Sequence, residues 1–202
     1  MPSARALTFT PAPVTTVVVR HGATDWAAAD RHTGREDVAL NDDGRRQARS
    51  LGTLLDGLLF STVWVSPLTR ARETCELSGF GDRAVVVEDL VEWDYGDFEG
   101  LTDAQTRARD PGWSLFADGA PGGERPGDVE RRVRAVIDAL HEAPGPRIVF
   151  SHGKTLRALA AIWLGQPISV GEALACDPAA VGFLERDAGR SLLRLWNLQP
   201  PL

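Results

Sequence analysis

The chain has 202 residues, 43% hydrophobic and 25% charged, which is the composition of an ordinary globular protein. Its net charge of −6 and the scatter of its 22 cationic residues argue against a nucleic-acid or membrane-surface partner. No apolar run approaches the roughly 20 residues that a transmembrane helix requires.

The start of the chain and the cysteines bear on compartment and cofactors. Segment 1–13 lacks the apolar core of a secretory signal. Cys75 and Cys176 lie far apart and match no metal-binding or redox spacing. With four histidines and two cysteines, a zinc site has little to be built from. We therefore expect a cytoplasmic protein with no metal and no cofactor.

Apolar runs and helical stripes alternate along the chain. Short apolar runs predict strands at 14–19, 62–65, 85–87, 148–150, 181–184 and 192–196. The predicted helices are 41–58 with Asn41 as N-cap, 66–77 with Ser66 as N-cap and Pro67 first, 128–140 opened by Asp128, and 156–164.

This alternation predicts a fold class. Strands followed by helices favour a parallel sheet with helices on both faces, and the last two strands favour a hairpin. We expect an α/β fold with three layers, α/β/α, a mostly parallel central sheet and a C-terminal antiparallel edge hairpin. At this length, 1–202 is one domain, and the Gly- and Pro-rich stretch 118–127 is a surface loop rather than a domain boundary.

Cationic and imidazole side chains follow three of the predicted strands. Arg20 and His21 come after the first strand, Arg70 lies one turn into the helix after the second, and His152 follows 148–150. In open α/β sheets, ligands bind beyond the carboxyl ends of the strands. The sequence therefore predicts that these four side chains converge at one edge of the sheet.

Two histidines and two arginines suit phosphoryl chemistry without a metal. Arginine forks bind phosphate oxygens in pairs. A neutral imidazole can attack phosphorus, and a second one can donate a hydrogen bond to the transferring group. Such a site still needs an acid for the leaving group and a base for water.

Seven stretches carry a resemblance that covers most of the chain. In order they are 19–24 (Val-Arg-His-Gly-Ala-Thr), 32–34, 40–44 with 47–48, 66–70, 90–100, 122–124 and 149–153 (Val-Phe-Ser-His-Gly). Their order and spacing resemble the histidine phosphatase superfamily, also called phosphoglycerate-mutase-like. The resemblance implies a role for each matching residue. The implied catalytic residues are His21 as nucleophile, Glu92 as proton donor, and His152. The implied phosphate-binding residues are Arg20, Arg70, His152 and Thr24, and the implied substrate-binding residues are Thr33, Gly34 and Tyr95.

Departures from the mutase pattern favour a phosphatase. Ala27 and Lys154 each replace an asparagine, and Asp103 replaces a basic residue. The paired arginines that bind a substrate carboxylate have no match, since Arg107 and Arg109 are not adjacent. The chain is more similar to the branch that holds broad acid phosphatases and sugar-bisphosphate phosphatases.

The expected function is a metal-independent phosphomonoesterase that hydrolyses a small phosphorylated metabolite through a phosphohistidine. The alternatives are a phosphoglycerate mutase, a phosphohistidine-protein phosphatase and a non-enzymatic sensor of phosphorylated ligands.

Three further questions stay open in the sequence. Lys154 either touches substrate at the pocket rim or only begins a helix. Segment 103–127, with its apolar residues at 113–116, is either a flap over the site or a satellite hydrophobic cluster under a loop. Residues 162–164 and the terminal hairpin are the two candidate faces for a homodimer.

Overall fold

A six-stranded mixed sheet forms the centre of the protein, which is described here by a computed structural model covering residues 15–201. The strands are β1 Thr16–Arg20, β2 Thr62–Val65, β3 Val85–Val86, β4 Arg147–Ser151, β5 Val181–Asp187 and β6 Arg190–Leu198. Their order across the sheet is β3-β2-β4-β1-β5-β6. The first four in that order pair in parallel, whereas β5 runs antiparallel to both of its neighbours. The predicted α/β architecture with its antiparallel edge hairpin is confirmed.

Helices cover both faces of this sheet. They are α1 Asp25–Ala28, α2 Asp42–Leu54, α3 Thr69–Leu77, α4 Asp103–Arg109, α5 Leu115–Asp118, α6 Pro126–Glu142 and α7 Gly153–Trp163. Because side chains alternate along a strand, Val17 and Val19 face the cluster under α2 and α3, and Val18 faces the cluster under α6 and α7. None of the helices within residues 15–201 has the length and apolarity needed to span a membrane.

The starts of α3 and α6 differ from the prediction. Helix α3 begins at Thr69 with Leu68 as N-cap, so Ser66 and Pro67 precede it. The Ser66 hydroxyl is instead bonded to the ring of His152, at 2.6 Å. Helix α6 begins two residues before Asp128, whose side chain accepts a hydrogen bond from the Arg125 backbone N–H.

The start of α2 agrees with the prediction, whereas that of α7 does not. Asn41 caps α2 as expected, because its side chain accepts from the Gly44 N–H at 2.9 Å. Helix α7 begins three residues earlier than the predicted 156–164. Residue 14 of the predicted first strand lies outside the described residues.

One candidate dimer face is wrong. Ile162 and Trp163 are only 6% and 4% exposed, and the Trp163 indole donates to the Glu185 carbonyl inside the chain. These side chains pack in the protein's own core, so they present no face to a second copy. The terminal hairpin stays a prediction.

Strand register places the three functional strand ends together. Arg20 at the end of β1 is paired with Ser151 at the end of β4, and Phe150 is paired with Val65 at the end of β2. The residues that follow, His21, His152 and Ser66, therefore emerge side by side.

Candidate active site

A cavity of about 330 Å³ is lined by residues that follow β1 and β4. Five of the predicted site residues line it, and they are Arg20, His21, Thr33, Glu92 and Tyr95. Lys154 lines it as well. The other four predicted residues, Thr24, Gly34, Arg70 and His152, are absent from this lining.

His21 has the tautomer that a nucleophile needs. Its Nδ1 lies 2.7 Å from the Gly22 carbonyl, which can only accept, so Nδ1 carries the proton and Nε2 keeps its lone pair. Burial holds the pKa of His21 well below its usual value, and the charges of Arg70 and Arg20 lower it further. The ring is therefore neutral near pH 7.

Backbone close to His21 is fixed by a close approach of two glycines. An added Cβ at Gly22 would lie 2.5 Å from the Gly44 carbonyl oxygen of α2, so only glycine fits. The Gly22 N–H donates to the Thr74 hydroxyl, and the His21 N–H donates to the Ser151 carbonyl. Helix α2 thereby supports the loop that carries His21.

Arg20 has an unused donor. Its Nη1 donates to the Cys176 carbonyl, but its Nε–H is buried and has no hydrogen-bond partner among residues 15–201. Leaving such a group unpaired costs about 1–3 kcal/mol, and a phosphate oxygen is a strong acceptor for it. A Cβ at position 153 would lie 3.3 Å from this Nε, so Gly153 leaves it room.

The His152 ring lies next to that of His21, with the two ring centroids 5.2 Å apart, and two hydrogen bonds hold it in place. Its Nδ1 accepts from Arg70 Nε at 3.1 Å, so its Nε2 carries the proton and donates to the Ser66 hydroxyl. Burial, followed by the charge of Arg70, holds the pKa of His152 well below its usual value. Both ring nitrogens are thus engaged with the protein.

Arg70 is fully buried and is held by backbone carbonyls as well as by the His152 ring. Its Nη1 donates to the Glu36 carbonyl and its Nη2 to the Gly34 carbonyl, each at 2.8 Å. Within residues 15–201, the second N–H of Nη1 has no acceptor, so Arg70 retains one donor for a phosphate oxygen. Its positive charge nevertheless acts on His21, whose pKa it lowers.

Glu92 is held by the first turn of α7. Its Oε1 accepts from the Trp93 and Thr155 N–H groups, each at 2.9 Å, and from the Thr155 hydroxyl at 3.0 Å. Its Oε2 accepts only from the Lys154 N–H, at 2.9 Å. A helix N-terminus favours a negative charge at this place. Oε2 retains lone-pair capacity toward the cavity, where it can exchange a proton with substrate or water.

The remaining predicted residues divide into two groups. Thr24 is the N-cap of α1, and Gly34 donates its N–H to Glu99 at 2.6 Å, so both support the site from outside the cavity. Thr33 lines the cavity while its hydroxyl donates to the Arg31 carbonyl. Tyr95 lines the cavity and stacks on the His32 ring at 4.7 Å, and burial raises its pKa well above the usual value.

Several residues in or behind the cavity were missed from the sequence. Arg157 lies three residues after Lys154 on α7, and this helical spacing was an available signal. Ser66 was assigned to a helix cap instead of to His152. Cys176 and Asp177 come from a loop far along the chain, and no local pattern connects them to the site.

Segment 103–127 contributes to the wall beside this cavity. Leu115 and Phe116 are buried in the main core cluster, with the Phe116 ring 5.1 Å from that of Trp93. They therefore belong to the principal core and not to a satellite cluster. Trp113 packs against Phe98 at 5.0 Å and lines a second cavity of about 140 Å³. A flap role for the segment stays a prediction.

Within residues 15–201, no group of three or more His, Cys, Asp or Glu side chains is arranged to hold a metal ion. The histidines of the site are engaged with the Gly22 carbonyl, Arg70 and Ser66 as described above.

Comparisons with known proteins show which family the chain belongs to. The model of the histidine phosphatase superfamily (branch 1) matches residues 16–199. An acid phosphatase of Mycobacterium tuberculosis is 38% identical over 90% of this chain and 91% of its own length. A 2,3-bisphosphoglycerate-dependent phosphoglycerate mutase of Azorhizobium caulinodans is 36% identical over 71% of this chain and 78% of its own. The solved structure of a Mycobacterium tuberculosis open-reading-frame product superimposes with a TM-score of 0.88, at 34% identity, over 94% of this chain and 100% of that one.

The chain therefore belongs to the histidine phosphatase superfamily, and this membership supports a histidine-type hydrolase of phosphoric monoesters.

Proposed function

We propose that the protein is a metal-independent phosphomonoesterase that hydrolyses a small phosphorylated metabolite through a phosphohistidine. One observation carries the proposal. A neutral imidazole with a free Nε2 lines the same cavity as an arginine whose Nε–H is buried without a partner. The first group can attack phosphorus, and the second can hold a phosphate oxygen.

The proposed reaction has two steps. His21 Nε2 attacks phosphorus, the bond to the leaving oxygen breaks, and protonated Glu92 gives that oxygen its proton. Glu92 then takes a proton from water, the hydroxide attacks the phosphohistidine, and phosphate leaves as His21 regains its lone pair. Arg20 offsets the negative charge in both steps.

Arg70 and His152 act from behind His21 in this proposal. The charge of Arg70 keeps His21 neutral, and its bond to Nδ1 fixes the His152 ring. His152 reaches the phosphoryl group when its Nε2–H turns from Ser66 to a phosphate oxygen. Thr24 supports the phosphate pocket as the N-cap of α1, and Thr33, Gly34 and Tyr95 form the substrate side.

A mutase reaction is the second candidate, since a relative at 36% identity carries that name. Release of free phosphate distinguishes the two reactions. A phosphatase liberates phosphate from 3-phosphoglycerate in water, whereas a mutase moves it within the glycerate and is stimulated by 2,3-bisphosphoglycerate. A phosphohistidine-protein phosphatase would instead release phosphate from a phosphorylated protein.

Hydrolysis of p-nitrophenyl phosphate in the presence of a metal chelator tests the mechanism directly. We expect activity to persist with chelator, and we expect His21→Ala to abolish it. Glu92→Gln should slow turnover while the site still binds vanadate. Activity that depends on added divalent metal, or that survives in His21→Ala, would contradict the mechanism.

A further inference from the structure

The cavity that His21 lines adjoins a second cavity. The larger cavity of about 330 Å³ and the smaller one of about 140 Å³ share four lining residues, which are His32, Tyr95, Lys154 and Arg157. The far wall of the smaller cavity is built by residues 113–116. A substrate whose phosphate lies against His21 therefore shares its cavity with Lys154 and Arg157, which line both cavities.

Lys154 has an uncompensated charge at the place where the two cavities meet, which we call the junction. Among the contacts of residues 15–201, its ammonium group makes no hydrogen bond and no ion pair, although its backbone N–H is bonded to Glu92. Burial and then the charge of Arg157 lower the pKa of Lys154 to about 8. A partly desolvated ammonium without a partner is costly, and a ligand anion would offset that cost.

Arg157 stands beside it, held in place by the protein. Its Nε donates to the Gly171 carbonyl at 2.8 Å and its Nη2 to the Glu172 carbonyl at 2.7 Å. The guanidinium carbon lies 5.0 Å above the Phe116 ring. These partners are neutral groups, so they fix the orientation of the guanidinium without cancelling its charge.

Carboxylates in the smaller cavity are already engaged elsewhere. Asp103 pairs with Arg107 at 3.3 Å, and both oxygens of Glu172 lie 3.0 Å from the Ser114 hydroxyl. No described carboxylate forms an ion pair with Lys154 or Arg157 within 4.0 Å. The junction therefore presents two cations whose natural partner is an anion from outside the chain.

We propose that the substrate carries a second anionic group, a carboxylate or a second phosphate, that Lys154 and Arg157 bind where the two cavities meet. This inference rests on the proposed function, because it places the reacting phosphate at His21. It assigns Lys154 to substrate recognition as well as to the start of α7.

Non-hydrolysable ligands test the second subsite without turnover. Propylphosphonate carries one anionic group, 3-phosphonopropionate adds a carboxylate, and ethane-1,2-diphosphonate adds a second phosphonate. By calorimetry, we expect at least one doubly anionic ligand to bind about tenfold more tightly than propylphosphonate. The tighter of the two identifies the second group as carboxylate or phosphate.

Matched variants assign that preference to Lys154. The measured quantity is the dissociation constant of propylphosphonate divided by that of the tighter doubly anionic ligand. Lys154→Gln should reduce this ratio about fivefold, and Lys154→Arg should retain most of it. Arg109→Gln removes the same charge from an exposed position at the end of α4 and should leave the ratio unchanged. Equal binding of all three ligands by the wild type would overturn the proposal, as would equal weakening of all three by Lys154→Gln.

Hydrolysis of p-nitrophenyl phosphate separates this inference from the proposed function. Hydrolysis without any preference for doubly anionic ligands would refute the second subsite but support the phosphatase function. A preference for doubly anionic ligands without hydrolysis would support the anion subsite and refute the proposed phosphatase function.

Discussion

Hydrogen bonds at single atoms decide the protonation of the two central histidines. The Gly22 carbonyl puts the proton of His21 on Nδ1, and the Arg70 Nε–H leaves His152 protonated on Nε2. His21 and His152 are thus opposite tautomers, each selected by a fixed partner. Ser66 completes the second arrangement by accepting from His152.

Removal of the Ser66 hydroxyl tests that positioning. Ser66→Ala removes one of the two hydrogen bonds that orient the His152 ring before substrate binds, so we expect kcat to fall about tenfold with KM changed less than about twofold. Ser78→Ala is the matched control, since Ser78 is also buried but donates to the Cys75 carbonyl away from the cavity. Steady-state kinetics on p-nitrophenyl phosphate would measure both. Equal effects of the two substitutions would contradict a positioning role for Ser66.

The pKa of Lys154 predicts that ligand preference depends on pH. Its pKa of about 8 means that it is cationic below that pH and neutral above it. Preference for 3-phosphonopropionate over propylphosphonate should therefore weaken as the pH rises from about 7 to about 9. The charged groups that act on it are Arg20, Glu92, Asp103 and Arg157, with His32 beside it.

The Lys154→Arg variant is the control for this pH effect, because an arginine stays cationic over the whole interval. Its preference should not change with pH. A wild-type preference that is constant up to about pH 9 would contradict the assignment of Lys154 to the second anion.

Among the secondary-structure elements, the first turns of two helices support the site. The first turn of α7 binds Glu92, and the first turn of α2 packs on the loop that carries His21. Apolar runs and stripes were sufficient to predict most of these elements. The starts of α3 and α6 were not predictable, because Ser66 and Asp128 both suit an N-cap by residue type.

Gly44 is the contact point between α2 and the loop that carries His21. A Cβ there would lie under 3.0 Å from Ala23 backbone atoms, so Gly44→Ala must push the helix and the loop apart. We expect a loss of about 1–3 kcal/mol in the free energy of unfolding, together with reduced kcat/KM. Urea denaturation and kinetics would measure these effects.

Gly127 provides the matched control, since it also lies in the first turn of a helix but has no atoms within 4 Å of an added Cβ. Gly127→Ala should leave kcat/KM unchanged and raise stability by about 0.5–1 kcal/mol through helix propensity. If Gly44→Ala behaved like Gly127→Ala, the close approach would not constrain the loop.

For the whole molecule, the burial of two neutral histidines makes the free energy of unfolding depend on pH. His21 and His152 have folded-state pKa values well below the 6.5 expected in the unfolded chain. As pH falls below 6.5, the unfolded chain therefore takes up protons that the folded protein does not. Stability should fall in this window by up to about 1.4 kcal/mol per pH unit for each histidine.

Urea denaturation at about pH 7.5, 6.5 and 5.5 would measure this loss. The His21→Gln variant removes one of the two groups, so its stability should depend less steeply on pH than that of the wild type. Stability that is flat or rising toward about pH 5.5 would show that these histidines take up protons in the folded protein. The single domain over 1–202 stays a prediction at this scale, as does a dimer through the terminal hairpin.

Local pattern alone determined the fold class, the family resemblance and the residues expected around the phosphate. Apolar periodicity encodes strands and helices, and strand ends place His21, Arg20, Arg70 and His152 at one edge of the sheet. These signals are local in sequence, so they can be recognised without coordinates.

Only the tertiary structure decided which of these side chains reaches the cavity. Arg70 and His152 turned out to stand behind it, whereas Arg157, Cys176 and Asp177 came to line it. Such contacts join residues far apart in the chain, and they depend on how the connecting segments pack over the sheet. For the same reason, the unpaired charge of Lys154 became visible only when its neighbours were in place.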